Sequence, residues 1–462
     1  MIYASIDVNI FITTIYGLGV NRISFVVNKV IQEAIFIFVN AIAFVESSLG
    51  LAQVLRLKTS GHAGFAMTGS FSNPGPYGGW IAISLAIIGV YVVQNRNAQK
   101  YYKKALLILS SISCALCIIV LPASMSRAAW LAIGVAALVF ALKELSLADR
   151  MRRHKVIAII VLVLVLITMT GAFFLKTDSA IGRLHIWHME LRAITEEPLT
   201  GHGKGLILGV YGDTQAEYFA AKDRPKIITK VAGCPEYAFN EYLKIGVEYG
   251  IPAMLGVIAV LILVIALLLK FRSPFAYGLI AFGVFAFFSY PLEAIQIKSE
   301  AEKEWESVRY LASMELYEDA VEELAPLYDN LKDNYRFIYD FGYALHKCKR
   351  YQESNEILKE GAKISSDPMF YNIIGKNYEA MGAYDLAEGA YMHAHYMVPS
   401  RIYPLSLLMN LKIKTGDIHY AIEIGEKIQS MDINEKVVAM RRLQKESASR
   451  LDSLKTLGYE RL

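Results

Sequence analysis

The stretch Ile251-Pro-Ala-Met-Leu-Gly-Val-Ile-Ala-Val-Leu-Ile-Leu-Val-Ile-Ala-Leu-Leu-Leu-Lys270 carries no charge until its closing lysine. About 20 consecutive apolar residues suffice for a helix to cross the hydrocarbon core of a bilayer. The stretch therefore predicts a membrane span, and it sets the scale for the rest of the chain. Residues 76–93, 105–121, 156–175 and 275–297 read the same way. The run 128–142 is shorter, opened by Ala128-Ala129-Trp130 and closed by Lys143. The stretch 31–55 is interrupted by Glu33 and Glu46, and 2–20 contains Asp7. The expectation is six spans and one or two further apolar segments. Late in the last span, Glu293 is expected to point inward, away from lipid.

Composition agrees. Of the 462 residues 55% are hydrophobic and 19% charged, against about 25% charged in soluble domains, and the mean hydropathy is +0.35. Such apolar content excludes a disordered chain. The four cysteines exclude a disulfide-stapled scaffold and supply no paired CxxC motif for structural zinc. Residues 1–297 hold 25 Lys/Arg against 16 Asp/Glu, whereas 298–462 hold 22 against 27. A domain boundary is accordingly expected near Lys298: a membrane domain at 1–297 with a long loop at 176–250, then a second domain at 298–462. No basic block suggests nucleic acid. The N-terminal Met-Ile-Tyr-Ala-Ser-Ile-Asp lacks the basic start of a cleaved signal peptide.

Short basic loops stay cytoplasmic. Arg96 to Lys104, 143–155 and Lys270–Arg272 are such loops. That assignment sends 59–75, 122–127, 176–250 and everything after 297 to the opposite side, so the second domain is expected to be extracytoplasmic.

In the second domain, Tyr317, Tyr351, Tyr384 and Ile418 recur at spacings of 34, 33 and 34. Ala320, Ser354, Ala387 and Ala421 follow three residues later, and Gly342 and Gly375 precede the middle two by nine. A period near 34 with small residues at a helix crossing resembles the tetratricopeptide repeat. It covers about 301–433, with 434–457 as a capping helix. Such solenoids bind extended peptides or partner proteins, or act as scaffold contacts.

Four stretches carry candidate chemistry: Gly69-Ser-Phe-Ser-Asn-Pro-Gly-Pro-Tyr77; Ser124-Met-Ser-Arg127-Ala-Ala-Trp130; Gly182-Arg183-Leu-His-Ile-Trp187 running on to Glu197-Pro-Leu-Thr-Gly-His-Gly-Lys-Gly205; and Glu236-Tyr-Ala-Phe-Asn240-Glu241-Tyr-Leu243 followed by Glu248-Tyr-Gly-Ile-Pro252. By the span count all four lie on the outer side. Arg127 and Arg183 are candidates to bind phosphate through the planar guanidinium fork. The bland readings are a snorkelling side chain for Arg127 and a surface ion pair for Arg183. Gly201, Gly203 and Gly205 lack the Walker pattern and read as a turn requiring positive φ. His185, His188 and His202 lack carboxylates at matching spacing for a metal site. Asn240 and Glu241 read equally as substrate contacts or as a helix cap.

These motifs resemble the O-antigen ligase and polymerase family, whose relatives include bacterial O-linked protein oligosaccharyltransferases. The carriers are Ser-Arg-Ala-Ala-Trp at the start of a span, Arg-x-x-x-Trp followed by Pro-Leu-Thr-Gly-x-Gly, Asn-Glu-Tyr-Leu with Glu-x-Gly-Ile-Pro, and Gly-Ser-Phe-x-Asn-Pro. The similarity covers about 30–297, and fused tetratricopeptide repeats occur in the family. It implies an all-α, glycosyltransferase C-like polytopic bundle followed by an α-solenoid, in the bacterial inner membrane with the repeats in the periplasm. It further implies an undecaprenyl-pyrophosphate-linked glycan donor, an acceptor hydroxyl on lipid A-core, glycan or protein, and inversion at the sugar carbon without metal or cofactor. By the motif, Arg127 and Arg183 would hold the pyrophosphate and Asn240 would contact substrate. Two departures stand out. Ligases often carry a His just before the Asn of the fourth motif; here that residue is Phe239, which leaves Glu236 or Glu241 as candidate general base. Family members also usually have ten or more spans, and this chain starts close to the middle of that pattern, as a shortened or truncated member would. From a different class, a non-catalytic membrane scaffold recruiting glycan-assembly partners through its repeats competes with this reading. A transporter fits less well, because the distinctive residues cluster on one face instead of at the midplane.

Overall fold

The computed structural model describes residues 22–62, 64–144, 177–293, 299–433 and 437–459. The expected span at 156–175, the segment 2–20, the boundary at Lys298 and the Glu293 side chain lie outside the described residues. Among the described residues every regular element is helical. The chain divides into two compact units, Met1–Arg153 with Leu263–Phe285, and His154–Ile262 with Ala286–Leu462.

The first unit contains α1 (Arg22–Val54), α2 (Pro74–Asn95), α3 (Tyr101–Ala123) and α4 (Arg127–Glu144). Four described helices are long and apolar enough to cross a membrane: Val30–Val54 within α1, α2, α3, and Glu241–Lys270, here α8. The two carboxylates expected to weaken the first segment leave its helix unbroken. Glu46 is buried and accepts from the backbone N–H and hydroxyl of Ser70 at 3.0 and 2.5 Å. Two turns further on, Gln53 Oε1 accepts from Thr68 and Gly69 N–H while its Nε2 donates to Gly69 O. The first motif thus folds onto α1, and the polar side chains that depress its hydropathy are the ones that hold the loop. Asn73 then caps α2, accepting from Gly75 N–H, with proline in the first turn where a missing N–H costs nothing.

In α4 the small residues Ala129, Ala132 and Ala136 are buried, and α4 packs on α2. A Cβ at Gly79 would lie 2.3 Å from the Phe285 ring, so α2 touches the last apolar helix backbone-to-ring. That helix, α9 (Phe275–Phe288), stops short of the expected 297. Ser289 and Tyr290 precede Pro291, which disfavours helical geometry in the residue before it, and a single 3-10 turn follows.

The second unit contains α5 (Thr177–Glu196), α6 (Ile207–Ala220), α7 (Lys226–Val231) and the first turns of α8 (Glu241–Lys270). Helical hairpins follow: α10 (Glu300–Ser313) with α11 (Tyr317–Leu324), α12 (Tyr335–Lys347) with α13 (Tyr351–Lys363), α14 (Met369–Ala380) with α15 (Tyr384–Met397), and α16 (Tyr403–Thr415) with α17 (Ile418–Ser430). The 34-residue spacing falls on the first residue of each second helix. Ala320, Ser354, Ala387 and Ala421 are all buried at the crossings. A Cβ at Gly342 would lie 2.5 Å from Leu358, and one at Gly375 2.4 Å from the Tyr391 ring. Helix α18 (Val438–Tyr459) covers the last hairpin with Leu451 and Leu454.

Two outcomes follow from this packing. Gly375→Val should destabilise the repeats by roughly 1–3 kcal/mol, because an overpacked core must shift; thermal unfolding of the detergent-solubilised chain reads it. His395 is buried, and burial pushes its imidazole down to about 3 from an ordinary value of about 6.5. Its neutral form is the folded form, so its contribution is complete above about pH 6.5 and is lost as pH falls toward the folded value. Melting midpoints between pH 7.5 and 5 should fall, less steeply in His395→Gln than in wild type.

Candidate functional site

In the second unit the third and fourth motifs are joined backbone to backbone. His202 N–H donates to Val247 O at 2.8 Å, Gly203 N–H to Glu248 O at 3.0 Å, and Ile251 N–H to Pro198 O at 2.8 Å. This closeness needs glycine. Gly201 has φ +67° and a Cβ there would meet the Glu248–Tyr249 peptide at 2.4 Å; Gly250 has φ +84° and would meet Leu199 O at the same distance. Gly203 and Gly205 also have positive φ, so the Gly-rich stretch is the turn its residues predict. Gly205 N–H donates to the buried Glu248 carboxylate at 3.0 Å. At Gly250 the run of α8 kinks, which separates a packed first segment from the span beyond.

Arg183 sits in α5, half-buried. Its Nη1 donates to Phe288 O at 3.2 Å and its guanidinium lies 5.2 Å from the centre of the Phe239 ring. Phe239 adopts a left-handed backbone (φ +56°) just before the α8 cap. Its ring meets Tyr290 edge-on at 5.3 Å, and Tyr237 stacks on Tyr290 at 3.9 Å. One turn along α5, Trp187 packs against Phe287 and Phe288. The cation is therefore oriented by a carbonyl and an aromatic face, an arrangement that weights both hydrogen bonding and the ring quadrupole.

Asn240 is buried, and its Oδ1 accepts from Tyr242 and Leu243 N–H at 3.0 Å each, so its carbonyl caps α8. Glu241 is buried too and accepts from Leu292 N–H at 2.9 Å. Arg183, Asn240 and Glu241 are thus brought together around residues 288–292. Glu236 is exposed and pairs with Arg336 of the repeats at 2.8 Å. Arg127 is half-buried at the first residue of α4 and belongs to the first unit.

The histidines take structural partners. His185 is buried against Gln215 at 2.7 Å, and burial pushes its imidazole down. His202 faces Ala193 O at 2.9 Å. Among the described residues, no group of three or more His, Cys, Asp or Glu could hold a metal ion. Glu190 is fully buried in α5, and burial pushes its carboxyl well up.

Gln215 was not singled out by any motif. It accepts from Tyr211 OH at 2.6 Å and donates to Gly233 O and to Met397 O at the end of α15. Around it α6 lies directly on the repeats: a Cβ at Gly209 would lie 2.0 Å from Lys363 O, and one at Gly212 2.6 Å from Met397. Its sequence gives little signal, since it is one of several polar residues in α6 beside Asp213, Thr214 and Glu217.

Fold and site together define an all-helical, multi-pass membrane protein with tetratricopeptide-like hairpins and an arginine site on a folded loop between spans. Residues 112–258 match the family model described as O-antigen ligase. The match supports a membrane glycan ligase or polymerase at the level of the family. Among solved structures, the Yersinia enterocolitica type III secretion chaperone SycD, in complex with a peptide of the translocator YopD, is 18% identical over 27% of this chain and 95% of its own, with a TM-score of 0.25. The kinesin light chain TPR-like repeats of Podosopora anserina are 15% identical over 35% of this chain and 93% of their own, with a TM-score of 0.29. No curated protein matches the chain.

Replacing Gln215 with Leu strands His185, Gly233 O and Met397 O without their shared partner. Each buried group so stranded costs about 1–3 kcal/mol. Gln215→Leu should therefore lower the melting midpoint and raise hydrogen exchange in both α5 and the end of α15. Exchange changes confined to α6 would contradict the assignment.

Proposed function

We propose that this protein is a glycosyltransferase that moves a glycan from an undecaprenyl-pyrophosphate carrier to an acceptor hydroxyl. The acceptor would be a growing surface glycan, lipid A-core or a protein, corresponding to polymerase, ligase or protein O-oligosaccharyltransferase. The observation that carries this reading is the O-antigen ligase match over 112–258, which contains Arg127, Arg183, Glu236, Asn240 and Glu241. In this reading residues 1–297 form the ligase-like domain in the bacterial inner membrane and 298–462 a periplasmic repeat domain that receives a protein partner or acceptor.

In the reaction the acceptor oxygen attacks C1 of the carrier-linked sugar. The bond from C1 to the phosphate oxygen breaks, and the electron pair leaves with the pyrophosphate. Charge grows on the phosphate oxygens, and this is where preorganised cations act most strongly. Arg183 suits that role because Phe288 O and the Phe239 face orient its fork before substrate arrives. By the motif, Arg127 at the start of α4 is the second candidate cation. The acceptor proton goes to a carboxylate: Glu236, which is exposed and exchanges its Arg336 partner at little cost, or Glu241, whose use requires release of Leu292 N–H. Asn240 fixes the start of α8 beside both.

A deletion strain complemented with wild type, Arg183→Ala, Arg183→Lys or Arg127→Ala tests the reading, with membrane levels measured alongside. Loss of one such charge-stabilising donor typically costs about 10²–10³ in rate, so both alanine variants should lose long-chain glycan and Arg183→Lys should restore little. Chains reduced to a single repeat unit identify a polymerase. Long chains retained on the lipid carrier identify a ligase. Unchanged glycans in Arg183→Ala at normal membrane level would remove the catalytic reading and leave a scaffold that recruits glycan-assembly partners through its repeats.

A further inference from the structure

The turn after α6 reads Ala221-Lys-Asp-Arg224-Pro225-Lys226. Proline cannot continue a helix and disfavours helical geometry in the residue before it, so the chain leaves α6 at Ala220 and Arg224 folds back over the last turn. The Arg224 guanidinium lies 3.6 Å from the centre of the Tyr218 ring, and its Nε and Nη2 donate to Tyr218 O at 3.1 and 2.8 Å. That carbonyl is one of the acceptors a helix end leaves open. The two bonds fix the guanidinium plane and leave Nη1 without an acceptor among the described residues. A second cation reaches the same ring from α5. The Arg192 guanidinium lies 5.9 Å from its centre, and His188, one turn earlier on the same face, stands nearly perpendicular to it at 5.7 Å. Arg192 and His188 are exposed. The buried His185 and Phe219 rings pack on Tyr218 at 5.7 and 5.2 Å and hold it in place.

These cations gather without a counter-charge. Among the described residues neither Arg192 nor Arg224 pairs with a carboxylate, whereas Arg309, Arg336, Arg350, Arg401 and Arg442 of the repeats each do. Lys230, in α7, pairs with Asp178. The one acidic residue of the turn, Asp223, interacts with Lys427 of α17, and the exposed Lys222 and Lys226 add positive charge on either side of Arg224. Capping of α6 explains two donors of Arg224. It explains neither Arg192 nor the convergence of two like charges on one ring, which repel each other unless an anion lies between them. Arg183 is nine residues before Arg192, two and a half turns and roughly 13 Å of helix rise away. The two arginines therefore stand on opposite sides of α5.

We propose that Arg192, Arg224 and His188 form an oxyanion site around Tyr218, and that its ligand is a phosphate group. A guanidinium fork binds oxyanions through parallel N–H donors. Here two forks and an imidazole N–H come from a helix face and from a separate turn, so a ligand between them meets donors from more than one direction. A phosphate presents its acceptor oxygens in a tetrahedral array, whereas a carboxylate presents two in one plane. The Tyr218 face favours both cations through its quadrupole and leaves their remaining N–H groups to the ligand. The phosphate belongs either to a soluble phosphate ester or to a phospholipid headgroup, and the recognising chemistry is the same. The proposal stands apart from the glycosyl-transfer reading, since it uses neither Arg127 nor Arg183.

The test follows the melting midpoint of the full chain in dodecyl maltoside against sodium phosphate, with sodium chloride at matched ionic strength as the control for screening. A ligand of the folded state raises the midpoint as its concentration rises. Arg192 donates to no acceptor among the described residues, so Arg192→Gln removes the cation without breaking a contact of the fold. The expected result is a phosphate-specific rise in wild type and in Arg183→Ala, with the half-maximal concentration raised about tenfold in Arg192→Gln, the loss of one charged hydrogen bond. A second titration replaces phosphate with dihexanoyl-phosphatidylglycerol below its micellar concentration. A response at lower concentration than phosphate, again dependent on Arg192, identifies a lipid headgroup as the source; an equal or weaker one identifies a soluble phosphate ester. An undiminished response in Arg192→Gln, or no response of wild type to either probe, overturns the proposal. A response lost in Arg183→Ala and kept in Arg192→Gln overturns it too, since the phosphate then sits at the glycosyl-transfer site and supports that reading instead.

Discussion

Everything in the second unit that concerns the arginine site depends on one backbone contact, the apposition of residues 198–203 with 247–251. Three N–H···O bonds close it, and a Cβ at either Gly201 or Gly250 would occupy the space the other chain uses. The contact fixes the end of α5 against the kink of α8. Since Arg183 lies on α5 and Asn240 at the start of α8, it also sets how far apart those two can be. The glycines are therefore not a phosphate cradle. Their N–H groups are spent on Glu197 O, Glu248 O and the Glu248 carboxylate, in keeping with the missing Walker pattern.

A second apposition ties the same loop to the repeats. Helix α6 approaches α13 and α15 closely enough that Gly209 and Gly212 have no room for side chains, and Gln215 spans the junction between His185 and Met397 O. Ser366 Oγ donates to Pro235 O, and Arg401 reaches both Asp367 and Cys234. Buried polar groups in such a junction tolerate little displacement, because an unmatched donor or acceptor costs more than the bond contributes. The hairpins and the loop that carries Arg183 consequently form one packed body.

How much of this was legible in the sequence follows from the range of the interactions involved. The repeat was legible because its determinants are local and periodic: small residues must recur where paired helices cross, and the spacing of 34, 33 and 34 through Tyr317, Tyr351, Tyr384 and Ile418 marks helix starts to the residue. The positive-φ turn at Gly201–Gly205 was legible from glycine alone. The end of α9 was overestimated, since hydropathy continues past Phe288 whereas Pro291 ends the helix. Glu46 was read as a weakness of its span because its partner, Ser70, is distant in sequence. Gln215 and Tyr290 were missed for the same reason; nothing near either residue announces contacts with Met397 or with Tyr237 and Phe239.

Phe239 stands where ligases that the motif resembles often carry a histidine. A phenyl ring neither accepts nor relays a proton, but its face attracts a guanidinium, and the left-handed backbone at this residue turns that face toward Arg183. At this position the phenyl ring orients a cation and does no proton chemistry. Arginine cannot fill the gap, as it does not lose its proton in proteins. For the glycosyl transfer proposed above, the candidate proton acceptors are the carboxylates on either side of Phe239, and these differ in what they hold. Glu241 stabilises the turn after α9 through Leu292 N–H, so drawing it into chemistry would loosen the segment that also carries Phe288 O, the carbonyl orienting Arg183. Glu236 holds only an exposed pair with Arg336, whose loss is inexpensive. Of the two, Glu236 is the carboxylate whose release from its partner leaves the Leu292 and Phe288 contacts in place.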